Sequence, residues 1–261
     1  MTWWQGVILG LVQGLTEFLP VSSSGHLVLA QATIDVAIPG VMVEVVLHVA
    51  TLLAVAIVYR RTLWRLVRNG IVGDRAALRD IMLLVVATIP AAVIGLAFKD
   101  FFERAFDSLI LVGINLIVTG ALLWSTRKRA KGGTEQPGVR SAGIIGVAQA
   151  LAILPGISRS GTTVSAGLWL GLDPASAAEF SFLMAMPAIA GAAILQIPEM
   201  QGGLSSVGAG PLALSFFAAL ISGIFAIRFL VALLRRGAFF RFAPYCWVVG
   251  AITVVGGLIA R

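Results

Sequence analysis

Charge is scarce in this 261-residue chain: Asp, Glu, Lys and Arg make up 12% of it, against about 25% in a soluble globular domain. With 59% hydrophobic residues and a mean hydropathy of +0.98, that scarcity excludes a soluble fold and leaves a multi-span membrane protein. Cysteine is almost missing. The single Cys246 excludes an internal disulfide framework and, beside Trp247 in an apolar run, reads as a small core residue. The opening MTWWQGVILGLVQG has no basic stretch ahead of its apolar residues and no small-residue cleavage site, so it reads as part of the mature protein. A net charge of +7 suggests nucleic acid or a membrane surface. The basic residues lie in loops without interleaved aromatics, which excludes nucleic acid as a partner and makes the charge a matter of topology.

What is present is a set of long apolar runs. Six approach or exceed the ~20 residues a helix needs to cross the hydrocarbon core, at roughly 41–59, 81–98, 106–126, 175–197, 209–234 and 242–260. Two further apolar runs are broken by short polar stretches, TEFLPVSSSGHL at Thr16–Leu27 and LPGISRSGTT at Leu154–Thr163. Each is read as a re-entrant helical hairpin. The expected fold is an all-α polytopic membrane protein, six transmembrane helices plus two re-entrant hairpins. With loops assigned alternately to two sides, segments 60–79, 127–140 and 235–241 carry fourteen Lys and Arg, while Lys99, Arg104 and Arg261 are alone on the other side. The rich side is placed in the cytoplasm, so both termini are expected to be periplasmic. Arg228 is read as snorkelling from its span, and Trp3, Trp4, Trp64 and Trp124 as interfacial anchors.

The basic segment 127–140 (RKRAKGGTEQPGVR) is the one clear linker. A shift of 136 residues superposes Gly10 on Gly146, Gln13 on Gln149, Ser22 on Ser158, Ser24 on Ser160 and Gly25 on Gly161. With one residue of slippage Glu44 meets Glu179. Residues 1–126 and 141–261 therefore read as two repeats, each a hairpin plus three spans. That odd number inverts the second relative to the first, so the two hairpins are expected to face each other near the midplane.

Polar groups at membrane depth are costly, which makes the interruptions the place to look for function. Gln13 and Glu17 are four apart and share a helix face. Together they offer an amide oxygen and a carboxylate to a hard cation, Mg²⁺ or Ca²⁺. Pro20 ends that helix. Ser22, Ser23, Ser24 and Gly25 open the next, where free N–H groups suit phosphate. His26 is placed to serve as acid, base or nucleophile. In the second hairpin Pro155 and Gly156 break the helix and Ser160, Gly161, Thr162 and Thr163 begin the next; with Ser158 they are the expected phosphate-binding residues beside Arg159, whose guanidinium fork matches phosphate oxygens. A permanent Arg159–Glu17 pair is the structural alternative. Glu44 with His48, and Glu179, are read as braces for the broken helices or as a second polar site.

These residues resemble the undecaprenyl-diphosphatase family of bacterial inner membranes, also called bacitracin-resistance proteins, over essentially the whole chain. The matching motifs are Gln13-Gly14-Leu15-Thr16-Glu17, Phe18–His26 (FLPVSSSGH) and Pro155–Thr163 (PGISRSGTT). The resemblance implies hydrolysis of a C55 polyprenyl diphosphate to the monophosphate carrier and inorganic phosphate, on the periplasmic side, assisted by a divalent cation. It implies recycling of the carrier for peptidoglycan synthesis, and with it bacitracin resistance. Many members carry Glu at the place of Gln13, which leaves this chain one carboxylate fewer. Glu17, Ser23, His26 and Arg159 are the expected catalytic residues. Ser23, activated by His26 or Glu17, is the first choice of nucleophile, ahead of His26 itself or an activated water. Inverted repeats with broken helices also build transporters, so a carrier or flippase for a lipid phosphate or anion is the competing reading. A homodimer is compatible with the sequence.

Overall fold

The computed structural model describes residues 1–33, 42–128, 133–200 and 207–259. Arg129 and Lys131 of the linker, Arg261, and residues 41 and 260 of the first and last expected spans lie outside them. Twelve α-helices carry the described chain. They are α1 (Trp3–Phe18), α2 (Ser23–Thr33), α3 (Met42–Val58), α4 (Arg60–Ile71), α5 (Arg75–Ala97), α6 (Lys99–Phe106), α7 (Leu109–Ser125), α8 (Val139–Leu151), α9 (Arg159–Trp169), α10 (Pro174–Gln196), α11 (Ala209–Arg235) and α12 (Ala243–Ile259).

The six expected spans are α3, α5, α7, α10, α11 and α12. Five helices are long and apolar enough to cross a bilayer; α3 joins them if counted with α4, from which it is bent by 79°. The helix α5 starts at Arg75 rather than 81 because Asp74 caps it, its Oδ1 accepting from the Ala76 amide at 3.1 Å. Two segments read as loops are helical. The first, α4, alternates Arg60, Arg61, Arg65 and Arg68 with exposed Trp64, Val67 and Ile71, the pattern of a helix lying in the interface. The second is the short α6.

In α1–α2 and α8–α9 the arms are too short for a bilayer. The 13 residues of α8 rise only about 20 Å, against a core of about 30 Å. Each hairpin turns back within the protein. The first arm of each packs on the second long span of the other half, α1 on α11 and α8 on α5, while α7 and α12 pack together. Matched glycines make both exchanges possible. A Cβ on Gly6 would lie 2.6 Å from the Pro211 carbonyl, and one on Gly146 2.5 Å from the Ala87 carbonyl; Gly10 and Gly14 meet the backbone of Ser215 and Ala219 in the same way. Small residues at a four-residue spacing let helices approach to backbone contact where lipid removes the hydrophobic drive for association.

The core lies beneath the hairpin tips. Phe18 and Phe182, both fully buried, meet edge to face with ring centroids 5.3 Å apart. The outer faces of the long helices expose Val85, Ile89, Val93, Ile221, Phe225 and Ile252, as a lipid-facing surface must. Trp3, Trp4 and Trp64 are exposed, as interfacial anchors are. The described part of the linker is tied down at Thr134, whose amide donates to the Gly171 carbonyl at 3.0 Å and whose carbonyl accepts from the Asp173 amide at 2.9 Å.

The α7–α12 contact is equally close, with a Cβ on Gly250 falling 2.7 Å from the Gly113 carbonyl oxygen. Gly250→Leu is expected to cost about 1–3 kcal/mol by overpacking, seen as a lower thermal midpoint of the detergent-purified protein. Gly143→Ala, inside α8 where a Cβ meets nothing within 4 Å, is the control that should not lower it.

Candidate active site

The two polar interruptions meet tip to tip. In the first, α1 ends at Phe18 and Leu19 is extended (φ −67, ψ 144), as the residue before a proline prefers. Ser22 then takes φ +70, a left-handed backbone that L-residues other than Gly seldom adopt. From there its Oγ accepts from the Gly25 amide at 3.4 Å and lies 3.3 Å from Ser24 Oγ, and its carbonyl accepts from the His26 amide at 3.2 Å. The second tip repeats this cap. Ser158 Oγ accepts from the Gly161 amide at 3.0 Å and lies 3.2 Å from Ser160 Oγ, and its carbonyl accepts from the Thr162 amide at 2.8 Å. In both helices the earlier first-turn amides have no intrahelical partner, which makes two anion-seeking N-termini.

The tips touch. Ser160 Oγ donates to the Leu19 carbonyl at 3.2 Å, Cys246 Sγ to the Pro20 carbonyl at 3.4 Å, and a Cβ on Gly25 would lie 3.6 Å from Gly156 Cα. The second tip is held from α7. Asn115 Nδ2 donates to the Pro155 carbonyl at 2.7 Å, and Thr119 Oγ1 donates to the Gly156 carbonyl at 3.0 Å while accepting from the Ser158 amide at 3.0 Å. Sequence reading missed both braces; their signal was two polar residues four apart inside an apolar span. Gly156 has φ +91, and a Cβ there would collide with the Val112 carbonyl, so glycine is required.

Glu17 is where the halves join. Its Oε1 accepts from Arg159 Nη2 at 2.6 Å. Its Oε2 accepts from Ser23 Oγ at 2.6 Å and from Gln13 Nε2 at 3.0 Å. His48 Nε2 stands 4.0 Å from the same oxygen. Glu17 and Gln13 are buried. Arg159 leaves Nη1, and Gln13 leaves Oε1, buried without a hydrogen-bond partner among the described residues. The Arg159–Glu17 pair weighed as a structural alternative is thus present, yet it uses only part of the guanidinium.

The other expected residues take different places. Ser22, Ser24, Gly25, Ser158, Ser160 and Gly161 form the caps just described. Thr162 and Thr163 turn inward, Thr162 Oγ1 donating to the Ser158 carbonyl at 2.7 Å, and Thr163 Oγ1 to the Arg159 carbonyl at 2.7 Å beside Ser181 Oγ at 2.6 Å. Their hydroxyls hold α9 in place. His26 directs Nδ1 to the Ser22 carbonyl at 2.9 Å and Nε2 to the Tyr245 hydroxyl at 2.7 Å, its ring stacked on that tyrosine. Neither of these bonds goes to Ser23, whose hydrogen bond is to Glu17. Glu179, read as a brace, lines a cavity of about 470 Å³ with Arg61, Arg65, Asp80 and Gln136. Sequence reading placed His48 beside Glu44 but did not join it to Glu17.

A family model described as bacitracin resistance protein BacA matches residues 6–252. The chain belongs to this family. Among similar proteins are the undecaprenyl-diphosphatase of Desulforapulum autotrophicum, 44% identical with the whole of both chains covered, and that of Desulfosudis oleivorans, 44% identical over 97% of this chain and 98% of the other. The undecaprenyl-diphosphatase 4 of Bacillus thuringiensis is 41% identical over 97% of each.

The donors at this family member's hairpin junction fit a hard cation of the kind expected above. Glu17 supplies the carboxylate; Gln13 turns its Nε2 to that carboxylate and leaves Oε1 buried without a partner, so its amide would have to turn over to set an oxygen beside Glu17. No group of three His, Cys, Asp or Glu able to hold a metal occurs among the described residues, so such an ion would lean on the amide and on ligands brought by substrate. Thr119→Val would strand the Gly156 carbonyl and the Ser158 amide together. It is expected to lower stability by about 1–3 kcal/mol, read from thermal unfolding, with Thr119→Ser near wild type.

Proposed function

We propose that the chain hydrolyses undecaprenyl diphosphate to undecaprenyl phosphate and inorganic phosphate, returning the lipid carrier to cell-wall synthesis and conferring bacitracin resistance. One observation carries the chemistry: a single buried carboxylate, Glu17, accepts hydrogen bonds from the Ser23 hydroxyl and the Arg159 guanidinium on its two oxygens. Family membership supplies the substrate class. Glu17 is the base, since Ser23 Oγ already donates to it. As Ser23 Oγ bonds to the terminal phosphorus, its proton passes to Glu17, and the bridging P–O bond breaks to release undecaprenyl phosphate. Water then attacks the phosphoserine phosphorus and the Ser–O–P bond breaks; the proton held on Glu17 returns to the serine oxygen, the water's own proton leaves to solvent, and inorganic phosphate departs.

Arg159 grips the phosphoryl oxygens with the donor left free on Nη1, and the N-termini of α2 and α9 add amide dipoles from opposite sides. This is stabilisation aimed at the charge that phosphoryl transfer develops. A divalent cation, Mg²⁺ or Ca²⁺, held by Glu17 and Gln13 would neutralise diphosphate charge. His26, hydrogen-bonded to Tyr245, is placed to move protons at the edge of the site.

The site opens to the periplasmic side with both termini periplasmic, a reading supported by the loop charge bias. Residues 1–126 and 141–261 are inverted repeats joined by the cytoplasmic linker 127–140. The matched Ser22 and Ser158 caps and the reciprocal α1–α11 and α8–α5 contacts support this.

Purified protein given undecaprenyl diphosphate and Mg²⁺ should release phosphate, and EDTA should suppress it. Transport alone would release none. Glu17→Gln and Ser23→Ala are each expected to lower turnover by about 10²-fold or more. Arg159→Lys, which keeps charge and loses the fork, should also be strongly impaired. Near wild-type turnover from Ser23→Ala would hand the attack to water.

A further inference from the structure

His48 has no task in the chemistry above, yet its ring is held as a ligand is held. Nδ1 lies 2.8 Å from the Glu44 carbonyl oxygen. A carbonyl only accepts, so Nδ1 carries a proton, and in the neutral ring Nε2 keeps its lone pair. Metal-bound histidines ordinarily have their other ring nitrogen tied down in this manner. Nε2 in turn stands 4.0 Å from Glu17 Oε2. That is too long for a hydrogen bond, but it lies within the roughly 3.0–4.2 Å that separates two donors sharing an ion at about 2.1 Å each.

A third donor is at the same carboxylate oxygen. Gln13 is fully buried; its Nε2 reaches Glu17 Oε2 at 3.0 Å, and its Oε1 has no partner. Turning the amide over exchanges the two atoms. Amide oxygen beside carboxylate oxygen is repulsive unless a cation lies between them; with one there that oxygen is satisfied, while Nε2 gives up its bond to Glu17 and takes the buried place Oε1 held.

We propose that His48 Nε2 is a direct ligand of a divalent cation, together with Glu17 Oε2 and Gln13 Oε1, an inference that rests on the cation site proposed above. An imidazole among oxygen donors moves the preference away from Ca²⁺ and toward Mn²⁺ and other transition metals.

Mn²⁺ alone is the probe, on full-length protein purified without a histidine tag. The chain has two histidines, so His26→Gln leaves His48 as the sole imidazole. Mn²⁺-loaded His26→Gln protein is expected to show nitrogen coupling in its electron spin echo modulation, switching isotope when the protein is made with ¹⁵N-histidine. Titration calorimetry should show Mn²⁺ affinity falling about 10-fold or more in His48→Gln. The isotope readout keeps His48 in place and stands even if His48→Gln does not fold. Mn²⁺ that binds, is lost in Glu17→Gln and shows no histidine coupling overturns ligation by His48 while the cation reading survives. Unchanged affinity in a folded His48→Gln does the same. Absence of Mn²⁺ binding with EDTA-insensitive phosphate release overturns both.

Discussion

The carboxylate of Glu17 is the constraint from which the rest of the site follows. A buried anion needs partners, and removing one from such a group is far more costly than the pair is worth in itself. Here Arg159, Ser23 and Gln13 all donate to it, and these donors come from both hairpins. The same group therefore holds the two halves of the protein in register, sets the direction of the serine hydroxyl and orients the guanidinium. Structure and proposed chemistry share one atom pair, which is why a charged residue is kept at a depth where lipid would otherwise exclude it.

Around that carboxylate the fold is a pseudo-symmetric frame carrying an asymmetric site. Ser22 and Ser158 cap their helices with the same three contacts, and glycines at matched places let each hairpin lie against the opposite half. The positions that follow the caps differ in kind: Ser23 in one half, Arg159 in the other. Two alike helix caps thus deliver a hydroxyl and a guanidinium to one anion. The surrounding support differs too, since the second tip is pinned by Asn115 and Thr119, whereas the first borrows Ser160 and Cys246 from the far half.

Much of this was legible from residues alone where the cause is local. The six spans follow from apolar length, the hairpin breaks from Pro20, Pro155 and Gly156, and the first helix start from Ser22, because a residue's backbone limits and capping bonds act within one turn; the second start, expected at Ser160, is capped two residues earlier by Ser158. Helices α4 and α6 were missed because charge was read as loop, although their apolar residues lie at helical spacing. Glu44 and Glu179 pair by repeat position and His48 joins Glu44 by its four-residue spacing, but neither relation says which way a side chain finds its partner.

The sequence by itself determined a membrane-embedded helical protein with two polar hairpins and named Glu17, Ser23, His26 and Arg159 as the residues to watch. Only the tertiary structure decided who meets whom. Glu17 and Arg159 are 142 residues apart, and His26 and Tyr245 are 219 apart. No pattern of neighbours along the chain encodes such pairs; they arise from how α1 packs with α9 and α2 with α12. That packing gave Ser23 to Glu17, turned His26 toward Tyr245 and brought His48 to the carboxylate in its place.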